Sequence, residues 1–241
     1  SNNRSRGYTN DTTPTISGSA TGEPEGTVVT ITVTDEAGNP QTITTEVQAD
    51  GTFSVDVPNE LSEGEFTVEV SVTDNAGNET TATTTGEVDT TAPVVTINAL
   101  GDTSDTTPTL SGTVSGEPTG STVTLTVTDA NGAVQTITAQ VIADGSWTVE
   151  VPVALAEGSY TVDAIVSDNA GNEGTASASG TIDTSALTIT IDVIGETNDQ
   201  TPQISGDTFN AEVGSSVEVQ ITDSTGATIT LTTVVDANGQ W

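Results

Sequence analysis

The stretch Asp105-Thr106-Thr107-Pro108-Thr109-Leu110-Ser111-Gly112 occurs three times with small changes. It reads DTTPTISG at Asp11–Gly18, DTTPTLSG at Asp105–Gly112 and DQTPQISG at Asp199–Gly206, each copy 94 residues beyond the last. Gly22-Glu23-Pro24 returns as Gly116-Glu117-Pro118. Asp50-Gly51-Thr52-Phe53 returns as Asp144-Gly145-Ser146-Trp147 and again as Asn238-Gly239-Gln240-Trp241. Thr73–Glu79 (TDNAGNE) returns as Ser167–Glu173 (SDNAGNE), and Val88-Asp89-Thr90 as Ile182-Asp183-Thr184. No gap is needed in any of these alignments. A period of this length is the size of a domain, so the chain reads as beads on a string and not as a solenoid.

Within the second copy the hydrophobic period is two. Val123, Leu125 and Val127 of Thr122–Thr128 (TVTLTVT) fall on one face of a strand. Strands are expected at Val94–Ala99, Thr109–Ser115, Thr122–Thr128, Val134–Ile142, Trp147–Val151, Ser159–Ser167 and Thr175–Ile182. They are punctuated by turn signals such as Asn131-Gly132, Asp144-Gly145 and Asp168–Asn172. No apolar stripe at helical spacing runs beyond two turns. Seven short strands spaced by turns predict an all-β fold: tandem immunoglobulin-like, seven-stranded antiparallel β-sandwiches arranged end to end. The expected division is a non-repeat head at 1–10 (native or a tag remnant), repeat 1 at 11–90, repeat 2 at 91–184, and a partial, truncated repeat 3 at 185–241. Phe53, Trp147 and Trp241 share one equivalent position, and Phe66 and Tyr160 another. Both are read as core anchors, with a tyrosine-corner hydrogen bond open to Tyr160 alone.

Charge narrows the function. The chain has 35 acids, two bases and a net charge of -33. Both bases, Arg4 and Arg6, stand before residue 11, so no salt bridge can form inside the repeats. Uncompensated self-repulsion destabilises a compact state, and an outside cation is the expected remedy. Nucleic acid is excluded as a partner because phosphate contacts need basic groups. No apolar run is long enough for membrane insertion. There is no Cys for a disulfide or thiolate metal site and no His or Lys for a familiar nucleophile–base pair, so an enzyme is not expected.

Strand parity gathers the acids. With seven antiparallel strands the chain enters a domain at one pole and leaves at the other. The first junction is then expected to collect Asp89, Glu117, Asp144 and Asp168, with Asp11 and Asp35 from repeat 1. The second is expected to collect Asp102, Asp105, Asp129 and Asp183. Ca2+ suits such all-oxygen, irregular sets, whereas Mg2+ prefers an octahedron and Zn2+ lacks His and Cys ligands. Each Asp can equally cap its own turn without a metal. No EF-hand ladder is present.

Asp89-Thr90-Thr91-Ala92-Pro93-Val94-Val95, Thr107–Gly112 and Asp168-Asn169-Ala170-Gly171-Asn172 resemble tandem bacterial immunoglobulin-like repeats. Repeats of that kind occur in very large surface adhesins exported by the type I route, as in RTX- and Bap-like proteins. The resemblance covers about Asp11 to Trp241. It implies a monomeric extender on the bacterial cell surface, active in biofilm adhesion, whose partners are the neighbouring repeats of the same chain. It also implies Ca2+ at linker Asp89 and Asp183 and at turn Asp74 and Asp168. Two departures stand out. The second linker has Leu187 where the first has Pro93, and Ala211 stands where Glu117 does. A different reading makes the pole loops a binding site for a glycan or protein, against which the near-identity of the copies argues.

Overall fold

In the computed structural model, which describes residues 7–116 and 120–241, every regular element of those residues is a strand. Contacts divide the chain into two units, residues 1–101 with 107–181, and residues 102–106 with 182–241.

Repeat 1 contains β1 (Gly7–Thr9), β2 (Thr15–Ser19), β3 (Val28–Thr34), β4 (Pro40–Glu46), β5 (Thr52–Asp56), β6 (Gly64–Thr73) and β7 (Glu79–Val88). One sheet runs β1-β7-β6-β3-β4, and β2 pairs with β5 in the other. All neighbours are antiparallel except β1 and β7, which run parallel from Gly7↔Gly86 to Thr9↔Val88. The period-two pattern of β3 turns Val29, Ile31 and Val33 inward, where they meet Phe53 of β5 and Phe66 and Val68 of β6. Thr30 and Thr32 take the outer face. Small residues make room for the aromatics. A Cβ on Gly18 would lie 2.4 Å from the Phe53 ring, and one on Gly86 would lie 2.4 Å from the Phe66 ring.

Repeat 2 follows the same plan with β8 (Val94–Ile97), β10 (Thr109–Ser115), β11 (Thr122–Thr128), β12 (Val134–Gln140), β13 (Ser146–Glu150), β14 (Gly158–Ser167) and β15 (Glu173–Ile182). One sheet contains the run β12-β11-β14-β15, and the facing one is β13-β10-β8. The seven predicted strands are all present, with ends moved by at most two residues. Val95, Leu110, Trp147, Leu125, Val127, Tyr160 and Val162 form its buried interior. Trp147 and Tyr160 are thus core residues, as are Phe53 and Phe66.

The second unit holds β9 (Asp102–Thr103), β16 (Thr188–Ile189), β17 (Thr208–Phe209), β18 (Ser216–Thr222) and β19 (Thr228–Val234). β16 pairs with β17 and β18 with β19, both antiparallel, and Trp241 exchanges backbone hydrogen bonds with Gly206.

One expectation needs correction. Residues 7–10 are not a head outside the repeat. Gly7–Thr9 is a strand on β7, and the Thr9 carbonyl accepts the Asp89 N–H at 2.9 Å. The Thr103 carbonyl accepts the Asp183 N–H at the same 2.9 Å. The pattern Gly-x-Thr-x-Asp recurs at Gly7–Asp11, Gly101–Asp105 and Gly195–Asp199. In each copy the Thr hydroxyl accepts the N–H of the Asp two residues on, at 3.0 Å. A strand of two or three residues is too short for alternation to register, so a periodicity reading passes over it.

Candidate functional site: the junction between repeats 1 and 2

Both flanking repeats contribute to this junction. Strand β7 delivers the linker Asp89-Thr90-Thr91 to it. The turn between β14 and β15, Asp168–Asn172, arrives from the other side. That turn is built from its own sequence. Asp168 Oδ1 accepts the N–H of Ala170 and of Asn172 at 2.8 Å each, and Gly171 takes φ 93°, a conformation glycine adopts without steric cost. The Asn172 side chain closes the loop by donating to Asp168 Oδ2 at 2.6 Å.

The same Nδ2 group crosses between repeats. It donates to the Asp89 carbonyl at 2.7 Å. Asp89 is therefore engaged on three sides: its N–H by Thr9, its carbonyl by Asn172, and its carboxylate by the Thr91 N–H at 3.0 Å. Asn10 approaches from repeat 1, its Nδ2 3.8 Å from where a Cβ on Gly171 would sit. Gly174 admits the linker itself, since a Cβ there would lie 2.0 Å from the Pro93 carbonyl oxygen. The linker thus enters repeat 2 at the pole of the Asp168–Asn172 turn. Strand β15 runs from that pole to the other.

Glu63, which the sequence reading omits, is part of this site. It accepts the Thr90 hydroxyl at 2.7 Å and the Thr91 hydroxyl at 2.6 Å. Those two donors, Thr91 first, hold its carboxyl below the usual carboxylate range. The signal was available in the repeat, because Glu63-Gly64 returns as Glu157-Gly158 and Thr90-Thr91 as Thr184-Ser185.

Most of the other acids read as junction ligands accept hydrogen bonds from their own turns. Asp11 accepts the Thr13 N–H at 2.8 Å and Asp144 the Ser146 N–H at 2.9 Å. Asp35 is 8% exposed and accepts the Asn39 N–H at 2.8 Å and the Ser62 N–H at 3.4 Å. Its counterpart Asp129 accepts from Asn131, Ala133 and Ala156. Asp74 accepts from Ala76 and from both nitrogens of Asn78. Asp183 accepts the Ser185 N–H, while Asp105 donates its own N–H to Thr103. Asp102 is exposed on β9. Glu117 lies outside the described residues.

These caps set the carboxyl pKa values. The Asn39 N–H leads in holding Asp35 low, the Ala133 N–H in holding Asp129 low, and the Asn78 side chain in holding Asp74 low. Burial alone would raise Asp168, but the Asn172 side chain and N–H outweigh it.

The fit to calcium is partial. The donors are of the right kind, since Asp89 O and Asp168 Oδ2 are hard oxygens that converge on one point. The Asn172 amide nitrogen holds that point, and among the described residues no three carboxylates gather anywhere. A Ca2+ ion needs six to eight oxygens at about 2.3–2.6 Å, so the junction is no ready-made cage.

Solved structures similar in sequence to this chain include three adhesin segments. One is a tetra-tandem repeat in the extending region of a large adhesion protein, with 36% identity over 95% of this chain and 61% of that one and a TM-score of 0.39. The second belongs to a 1.5-MDa bacterial ice-binding adhesin, with 29% identity, 95% and 78% coverage and a TM-score of 0.38. The third is a Ca2+-stabilized adhesin that helps an Antarctic bacterium reach out and bind ice, with 32% identity, 95% and 59% coverage and a TM-score of 0.37. This chain spans about three fifths of the length of the first. None of the curated proteins matches it. Superpositions this low carry no weight in placing the chain; the family model does, because it matches residues 1–90 and 100–184. The chain belongs to the family of bacterial Ig-like domains.

Proposed function

We propose that this chain is an extender, a non-catalytic spacer segment of a bacterial surface adhesin that holds a distal binding domain away from the cell. One observation carries the reading. In repeat 2 the linker enters beside the Asp168–Asn172 turn, and β15 carries the chain from there to the opposite pole. A domain that receives the chain at one end and passes it on at the other converts repeat number into reach. The 94-residue period and the junction bonds of Asn172 and Glu63 suit that task, because the first junction is tied by residues that recur with the period.

Calcium at the junctions belongs to the proposal on the strength of charge. Thirty-five acids face two bases, and a divalent ion from outside relieves the repulsion that the chain cannot relieve itself. To enter the first junction it would take the place of the Asn172 amide between Asp89 O and Asp168 Oδ2. Small-angle scattering of the full chain in Ca2+ and in chelator tests this. The maximum dimension is expected to be larger and flexibility lower in Ca2+. A compact particle under both conditions would end the extender reading, and an extended particle indifferent to chelator would end the calcium part alone.

A further inference from the structure

Glu63 closes a segment that has no regular structure and is nevertheless pinned along its length. Residues 57–63 link β5 to β6 outside any strand. Val57 and Leu61 are buried, and the Leu61 N–H donates to the Thr12 carbonyl at 2.8 Å. Between them the Gln41 amide clamps the backbone of Asn59. Its Nε2 donates to the Asn59 carbonyl at 2.9 Å, and its Oε1 accepts the Asn59 N–H at 3.1 Å. Backbone groups that stand outside a ladder find their partners in this way.

The last residues of the segment rest on the turn at 35–39, between β3 and β4. On one side of Glu63, the Ser62 N–H donates to Asp35 Oδ2 at 3.4 Å, and Ser62 Oγ accepts the Ala37 N–H at 3.3 Å. On the other side, Gly64 takes φ 114°, and a Cβ there would lie 2.8 Å from Glu36 Cγ. Both chain neighbours of Glu63 therefore touch one turn. The Asp35 carboxylate fixes that turn as well, because its Oδ1 accepts the Asn39 N–H. β6 and β7 pair with Gly64 opposite Val88, so Glu63 emerges beside Asp89 and meets the hydroxyls of Thr90 and Thr91.

Repeat 2 repeats the arrangement with different side chains around it. Ala156 stands in place of Ser62 and Ala133 in place of Asn39, yet the Ala156 N–H still donates to Asp129 Oδ2, at 3.2 Å. Gly158 takes φ 113°, and a Cβ there would lie 2.8 Å from the Ala130 Cβ. Glu157 stands between these two contacts, and Gln135 clamps Val153 as Gln41 clamps Asn59. What persists is the carboxylate that binds both its own turn and the segment.

We infer that Asp35 is a positioning residue for the junction: its carboxylate ties the turn at 35–39 to the segment at 57–63 and so aims Glu63 at the linker leaving the same repeat. The brace is built from repeat 1 and its own exit linker. It holds Thr90 and Thr91 from the near side, as Asn172 holds Asp89 from the far side. It requires neither an ion nor the extender role.

The test uses the full chain in chelator and reads the backbone order of Thr90 and Thr91 by 15N relaxation. In the parent both are expected near the rigid value of about 0.85. Glu63→Ala removes the grip and is expected to lower both toward about 0.6. Asp35→Asn keeps Glu63 but withdraws one acceptor oxygen, and is expected to give the greater part of that fall. In the double variant the fall is expected to be no larger than with Glu63→Ala alone, because the two residues act along one chain of contacts. Asp50→Asn disables the turn cap at the other end of β4 and is expected to leave both threonines unchanged. An unchanged linker in Asp35→Asn, a fall that adds in full to that of Glu63→Ala, or an equal fall in Asp50→Asn would overturn the inference. Ser62→Ala removes the other bond between segment and turn and is expected to give a smaller fall. It decides the matter should Asp35→Asn not fold: an unchanged linker would then overturn the inference.

Discussion

Repeats 1 and 2 share strands, spacing and turn chemistry, yet their interiors are closed to different degrees. Repeat 2 centres on Trp147 and Tyr160, each 2% exposed, with β8 laid against β10. Repeat 1 has Phe53 and Phe66 at the same positions, 5% and 7% exposed, and among the described residues β2 pairs with β5 alone. Gly112 shows how tightly the closed version fits. A Cβ there would lie 1.9 Å from the Thr96 carbonyl and 2.6 Å from the Trp147 ring, whereas the nearest atom to one on Gly18 is in the Phe53 ring, at 2.4 Å. The two repeats teach that one strand pattern accommodates aromatic anchors of different size. In repeat 2 the edge strand and the larger aromatic back each other across Gly112.

The largest expected effect is on the aromatic itself. Trp147→Ala should destabilise repeat 2 by about 3–5 kcal/mol, and Phe53→Ala should cost repeat 1 less, because the smaller ring leaves a smaller cavity. Calorimetry of the full chain, with exchange measured repeat by repeat, reads both. Equal costs would break the comparison. Next, Gly112→Ala should cost about 1–3 kcal/mol, since backbone on one side and indole on the other cannot both yield. Gly18→Ala should cost distinctly less, as its nearest neighbour is the Phe53 side chain and not backbone. Matching losses would mean that β8 contributes no rigidity.

A smaller effect is expected at the junction. Asn172→Ala removes two hydrogen bonds, one within its turn and one to Asp89, for about 1 kcal/mol or somewhat more. Asn78→Ala removes the bond within the equivalent turn of repeat 1. Amide exchange at Thr90 and Thr91 should quicken for the first variant and not for the second. If both leave the linker unchanged, Asn172 does not tie the repeats.

The smallest effect concerns pH. Asp35 and Asp129 have carboxyl pKa values held below the ordinary one by turn N–H groups. A depressed folded pKa gives stability that is present above the unfolded value of about 3.9 and is lost as pH falls through the folded value. Asp35→Asn and Asp129→Asn should therefore cost stability at neutral pH, and the gap from the parent should close below about pH 4. Denaturant titrations at stepped pH check this. A gap that widens with acid would reverse the assigned sign.

The strands were legible because burial leaves a period-two mark on residues such as Val123, Leu125 and Val127. Family and domain period were legible because turns and linkers are sequence-local and recur. The hydrogen-bond partners of the acids were not. Parity correctly sends Asp89 and Asp168 to one pole, but it cannot tell which donors stand within 3 Å of a carboxylate. Asp35, Asp129, Asp144 and Asp168 each accept N–H groups of their own turns, a pairing that strand parity does not specify. Glu63 was passed over for the opposite reason. Its partners, Thr90 and Thr91, lie 27 and 28 residues away, and only the fold brings them together.

The parallel pairing of β1 with β7 bears on how such a bead responds to tension. Entry and exit strands lie side by side, pointing the same way, with Gly7, Tyr8 and Thr9 matched to Gly86, Glu87 and Val88. Pulling on the two ends of the repeat slides one strand along the other. The bonds between them, with Asp89 N–H to Thr9 O at the end of the row, are then strained in shear and must give way together. A hairpin pulled open at its mouth loses its rungs one at a time. Repeat 1 is wired the first way, so resistance to stretching is set by a three-residue strand that contributes little to the core.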